Sequence, residues 1–126
     1  MPTKKQKLAK ENNALWQEVC LGLWGDKCLV CGESPIIFHH FIIKSRNGLM
    51  AYDEQNGIPL CQRHHYIIHF SSSPSEIHRV VQTIREAKED DWCKYIDKHE
   101  RIHRASFKTL KWLKDENRRL QNILLS

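Results

Sequence analysis

Two pairs of metal-binding side chains stand at matching spacing in this chain, Cys28-x-x-Cys31 and Cys61-x-x-His64. Residues three apart in a tight turn, or in the first turn of a helix, can aim both side chains at one point. Two such pairs supply four soft or borderline ligands, the set that suits tetrahedral zinc. The remaining cysteines, Cys20 and Cys93, lack a partner at such spacing and read as small buried hydrophobes. The odd count of five cysteines, the CxxC pair and a basic start (MPTKKQKLAKENN) with no apolar core behind it favour a reducing compartment and metal ligation over disulfides.

Five of the eight histidines, His39, His40, His64, His65 and His69, lie between residues 39 and 69. If zinc takes His64, then His65 is free for other work, because adjacent helical residues point about 100° apart. His65 and His69 are four apart and share a helical face, where two imidazoles can grip one ion. His39 and His40 fall in IIFHHF, a β-branched and aromatic run, so their side chains point to opposite sides of a strand. One of them can join His65 and His69 on a metal while the other faces substrate or water. The plainer alternative for each is an ordinary strand or helix-surface histidine. His78, His99 and His103 have no partner in the pattern and read as surface residues.

These side chains need elements to position them. Leu8, Leu15, Val19 and Leu23 recur at helical spacing, which predicts a helix from Lys4 to about Leu23, ended by Gly25 and Asp26. CLVCGES reads as a tight knuckle, Ile36 to Phe41 as a strand, KSRNGLMAYDEQNG as a long loop, and Ile58 to Leu60 as a short return strand. A helix follows over Gln62 to Phe70. Ser73-Pro74-Ser75-Glu76 then supplies an N-cap, a proline at the first helical position and a glutamate three residues after the cap. That helix is expected to reach about Lys88, with a shorter one near Asp91 to His99. The last, from about Ser106 to Leu125, carries Leu110, Leu113, Asn117, Leu120 and Leu124 at spacings of three and four. Such a stripe packs on its own domain, or forms a short homodimeric coiled coil with Asn117 setting register. Trp16, Trp24, Trp92 and Trp112 read as core residues before base-stacking platforms.

The run HHFIIKSRNG, then Asn56 in NGIPLC, then CQRHH resembles the HNH, or His-Me finger, endonucleases. The likeness covers roughly residues 28–70 and includes the zinc knuckles that many members wrap around the motif. It departs from the family at His64, where cysteine is the commoner fourth zinc ligand. His69 is similar to the second histidine of the metal-holding pair in colicin-type DNases. HHF, Arg46-Asn47 and YDEQNGIPLC more loosely resemble phage recombination endonucleases that act on branched DNA. The resemblance implies His40 as the general base, with His39, His65 and His69 holding a catalytic divalent cation (Mg²⁺, Mn²⁺, Ni²⁺ or Zn²⁺). It implies Asn56 as an orienting residue that pins loop and strand. It also implies a small ββα-metal module with a structural zinc.

The expected fold is therefore α+β, a single domain over 1–126. An N-terminal helix (4–24) precedes a zinc-stabilised core (28–70), and a helical extension (73–126) follows. With 126 residues, a net charge of +5 and 40% hydrophobic content, the chain reads as soluble, with no membrane span, and the resemblance implies the cytoplasm of a bacterium or phage-infected cell. The basic balance points toward DNA as partner, although a solvated lysine surface explains the charge nearly as well. Lys44 and Arg46 are candidate phosphate contacts, Arg46 with more reason because it lies in the loop between His40 and Asn56. The expected activity is metal-dependent DNA hydrolysis. Beside it stand a zinc-stabilised DNA-binding module with an inactive site, and a sequence-specific homing-type or restriction-type nuclease.

Overall fold

The computed structural model describes residues 1–102 and 108–126. The surface assignment of His103 and the start of the last helix at Ser106 lie outside the described residues. The chain is α+β, mostly helical, with one two-stranded antiparallel sheet. Its order is α1 (Lys4–Trp24), β1 (Ile37–His40), β2 (Gly57–Leu60), α2 (Gln62–Phe70), α3 (Pro74–Glu100) and α4 (Leu110–Leu125). Two short 3-10 turns, Gly48–Met50 and Glu54–Asn56, interrupt the connection between the strands, where the sequence suggested only loop. Among the described residues no helix is long and apolar enough to cross a membrane.

Local chemistry accounts for the helix ends. Thr3 and Gln6 form a reciprocal capping box at the start of α1, and Gly25 ends it at φ 81°, a left-handed conformation that glycine adopts without steric cost. Ser73 caps α3 by accepting from the Glu76 N–H, as its spacing predicts, but the Glu76 carboxylate accepts from Ser71 Oγ instead of closing a full box.

The two expected helices within residues 74–99 are one element broken at Glu89, whose φ of 74° and ψ of 171° are not helical. That backbone region disfavours any side chain, so packing must hold it. The chain folds back at this point. Arg85 donates to both Asp97 oxygens at 3.0 and 2.9 Å, whereas twelve residues of straight helix span about 18 Å.

Two apolar clusters flank the sheet. One joins Ile42, Met50, Ile58 and Leu60 to Val80, Ile84, Trp92 and Ile96 of α3. The other joins Trp16, Val19 and Cys20 of α1 to Phe38, Tyr52, Leu113 and Leu120. Each fully buried leucine or isoleucine contributes about 1.5–3 kcal/mol. The α4 stripe is used inside the chain: Leu113 and Leu120 pack on α1, and Asn117 Nδ2 donates to Asn12 Oδ1 at 2.9 Å. Asn12 Nδ2 in turn donates to Leu113 O, so both buried amides are partnered across the α1–α4 seam. Gly57 lets α1 reach the sheet, since a Cβ there would run into Cys20 Sγ and the Trp16 ring.

Candidate metal centre and histidine cleft

The knuckle and the start of α2 converge. Gly32, at φ 74°, turns the chain so that its N–H donates to Cys28 O at 2.8 Å, and the Val30 N–H points at Cys28 Sγ. Cys61 occupies the N-cap of α2, which puts His64 in the first helical turn. Cys31 and Cys61 sulfurs stand 3.7 Å apart, and His64 Nδ1 lies 3.7 Å from Cys28 Sγ and 3.2 Å from Cys61 Sγ. Metal–sulfur bonds of about 2.3 Å in a tetrahedron place sulfurs about 3.8 Å apart. Cys28, Cys31, Cys61 and His64 can thus hold a metal such as zinc. Among the described residues they are the one set of three or more His, Cys, Asp or Glu whose ligand atoms all lie within 4.8 Å.

The electrostatics fit a cation. Burial opposes the Cys28 thiolate, but the backbone N–H groups of Cys61, Cys31 and Val30 outweigh it and hold the thiol below its ordinary value. Cys31 moves the other way, to about 11. A Glu33 N–H favours its thiolate, but residual desolvation and the sulfurs of Cys61 and Cys28 prevail. A divalent charge among the sulfurs removes that conflict. His64 is kept neutral by burial and by Arg63, as a ligating imidazole must be.

The other histidines gather on the far side of α2. The His39 ring stacks on His65 at 3.5 Å between centroids, and the His65 and His69 rings meet edge to face at 4.6 Å. The structure thus brings His39, His65 and His69 together, but through ring faces. Rotation about their side-chain bonds is needed for three nitrogens to converge on one ion. Burial, followed by the neighbouring His65, His69 and His40, draws His39 down to about 4. Burial and then His69 draw His65 down as well, so both present lone pairs at neutral pH.

His40 points to the opposite face of β1, as strand alternation requires. Its ring lies flat on Trp16, 4.3 Å between centroids at 5°. His40 Nε2 is 2.7 Å from Ala51 O. A carbonyl only accepts, so Nε2 carries the proton and Nδ1 keeps a lone pair. Burial lowers the His40 pKa, the Ala51 carbonyl works against that, and Lys44 and Lys108 add to the lowering.

Asn56 is fully buried and uses its whole amide. Oδ1 accepts from Ile42 N at 2.7 Å, while Nδ2 donates to Ile42 O at 3.0 Å and to Met50 O at 3.1 Å. It ties the end of β1 to the residue preceding Ala51, the partner of His40. Helix side chains hold the turn ahead of Asn56 from outside. Arg119 donates to Tyr52 O, and the indoles of Trp16, Trp24 and Trp92 donate to Asp53 O, Glu54 O and Gln55 O. Four successive carbonyls are taken, a cradle that the spacing of the tryptophans does not announce.

His39, His40 and His69 border one cleft of about 270 Å³, and Arg85 and Glu100 of α3 border it too. Neither of these last two was singled out by the sequence, because both sit in an ordinary amphipathic helix, one on each side of its break at Glu89, and only the packing of that helix brings them to the cleft. Lys44 is exposed beside the cleft, and exposed Arg46 donates from Nε to Glu100 O at 2.8 Å. Cys20 is fully buried, as expected, and burial pushes its thiol up to about 12. Cys93 is partly buried. No protein-family model, curated protein or solved structure matches the chain.

Proposed function

We propose that this chain is a metal-dependent endonuclease of the His-Me finger kind, hydrolysing DNA phosphodiester bonds, with zinc at Cys28, Cys31, Cys61 and His64 as a structural ion. The observation that carries the reading is the single cleft bordered by His40, His39, His69 and Arg85, with His65 stacked on His39. A divalent cation held by His39, His65 and His69 would supply charge for a non-bridging phosphate oxygen and for the departing 3′ oxygen.

The chain's own groups do the rest. His40 Nδ1 takes a proton from the attacking water. The Nε2–H···O=C bond to Ala51 keeps the correct tautomer and steadies the imidazolium as it forms. Trp16 backs the ring so that it cannot turn away. Asn56 positions Ala51 and the end of β1 without touching substrate. Arg85, held in a two-point grip by Asp97, offers its remaining N–H groups to the phosphate, and Lys44 and Arg46 lie where the flanking backbone would pass.

A second reading, a zinc-stabilised DNA-binding module with an inactive nuclease site, is favoured by one specific observation: the three histidine rings meet face to face and edge to face, not nitrogen to nitrogen. Plasmid nicking with Mg²⁺, Mn²⁺ or Ni²⁺ separates the two. The nuclease reading expects nicking by the wild type and a drop of about 10²-fold or more in His40→Ala. Equal nicking by both forms removes His40 from its role. DNA binding without nicking under any metal selects the second reading. A four-way junction beside linear duplex tests the branched-DNA resemblance, and equal cleavage of both counts against it.

A further inference from the structure

Helix α2 carries a second functional stripe beside the histidines. Arg63, Tyr66 and Phe70 fall within about 60° of one another around the helix axis, and the stripe is centred about 100° from that of His65 and His69. All three are exposed, Tyr66 at 61% and Phe70 at 66%. The two aromatic rings pack side by side, 5.2 Å apart at 37°, and the Phe70 ring lies 6.2 Å from that of His69. Arg63 makes no hydrogen bond or salt bridge among the described residues. Two adjacent exposed aromatics form an apolar patch of the kind that marks an interaction site. A cation in line with them selects an anionic, flat-faced occupant.

We propose that Arg63, Tyr66 and Phe70 form a base-stacking subsite, at which an unpaired nucleobase of a DNA strand packs on the Tyr66–Phe70 pair while Arg63 contacts the strand's phosphate. The proposal rests on the nuclease reading of the adjacent histidine cleft and names its substrate class: a strand with unpaired nucleotides beside the scissile phosphate, as in a flap, gap, junction or single strand. A base inside a duplex has both faces covered by its neighbours and offers nothing to these rings. An unpaired base exposes a face, and aromatic stacking accepts any of the four bases. The juxtaposition follows from the helix itself, since Tyr66 and Phe70 each sit one residue after a histidine of the cleft.

The test is binding, not cleavage. A labelled single-stranded oligonucleotide and a blunt duplex of equal length are titrated by fluorescence anisotropy, with His40→Ala in every form to prevent cutting. The expected result is tighter binding of the single strand. It falls about tenfold or more in Tyr66→Leu/Phe70→Leu, which keeps apolar bulk but loses the rings. Duplex affinity is expected to stay within about twofold of the parent, and Tyr66→Trp/Phe70→Trp restores the preference. Unchanged single-strand affinity in the leucine form, or an equal loss on both substrates, overturns the subsite and leaves the nuclease reading standing. A dimer in sedimentation velocity that the leucine pair dissolves also overturns it, because a second copy then covers the stripe. If no form binds either DNA, the cleft reading itself fails and the subsite with it.

Discussion

Two neighbouring histidines on one helix stand in two differently built clusters. At the Cys28–Cys31–Cys61–His64 corner the backbone presets convergence: a left-handed Gly32 closes one ligand pair, and an N-cap and first helical turn close the other. The ligand atoms lie together and largely buried. At His39, His65 and His69 the side chains come from one strand and one helix face, and their rings meet through faces and edges. Closed geometry suits an ion that stays. Under the nuclease reading, the open geometry suits an ion that must also meet a substrate.

The largest effect should separate His64 from His65. Apparent binding energies of about 10–16 kcal/mol for structural zinc match or exceed the whole stability of a domain. His64→Ala is therefore expected to lose bound zinc and its cooperative unfolding transition, measured by elemental analysis and calorimetry. His65→Ala is expected to keep both while nicking falls to background. A His64→Ala protein that holds one zinc and melts normally would erase the contrast drawn between the two sites.

An intermediate effect belongs to Asn56. Asn56→Ala strands the Ile42 N–H and the Ile42 carbonyl in the interior and leaves Met50 O with the Asp53 N–H alone. Unsatisfied buried groups cost about 1–3 kcal/mol each, so a loss of about 3 kcal/mol in urea unfolding is expected, with zinc retained. Nicking should fall further than stability explains, because Asn56 sets the carbonyl that aligns His40. Proportional losses of both would make Asn56 a packing residue only.

The smallest effect at neutral pH lies behind both sites, at Lys88. Its Nζ stands 2.9 Å from the Trp24 ring centroid and 3.4 Å from Gly57 O, buried within the α3 cluster. Burial draws the ammonium down to about 7, with Cys20 pulling the other way, and the faces of Trp24 and Trp92 also favour the cation. The folded value lies below the ordinary 10.5. Between the two the unfolded chain binds more protons, and stability rises with pH by at most about 1.4 kcal/mol per unit. Lys88→Met should flatten that rise in urea unfolding at pH 7 to 10 (about the window these values define) and leave zinc content unchanged. An identical pH slope in the variant assigns the dependence to another group.

Much of the fold was legible because its signals are local. The helical spacing of Leu8, Leu15, Val19 and Leu23 placed α1, capping residues placed the start of α3, and β-branched runs on either side of a polar stretch placed the strands. The run from Gln62 to Phe70 placed His64 in the first turn of a helix. Where the reading fell short, the cause was long-range. The α4 stripe carries a dimer-like pattern whose seam α1 fills within the chain, through Asn12 and Asn117. Glycine and spacing alone did not reveal that Gly57 admits Trp16 against His40, since the contact joins α1 to a strand far along the chain.

By itself the sequence determined which side chains could act and which of them share a face, because turn geometry and the periods of helix and strand operate over a few residues. Only the tertiary structure decided how they meet. It set the His40 tautomer through Ala51 and hung the turn before Asn56 from three indoles and a guanidinium. It also brought Arg85 and Glu100, on either side of the α3 break at Glu89, to the cleft. Each of these joins residues distant in the chain, and only burial of the intervening helices brings such groups within hydrogen-bonding reach.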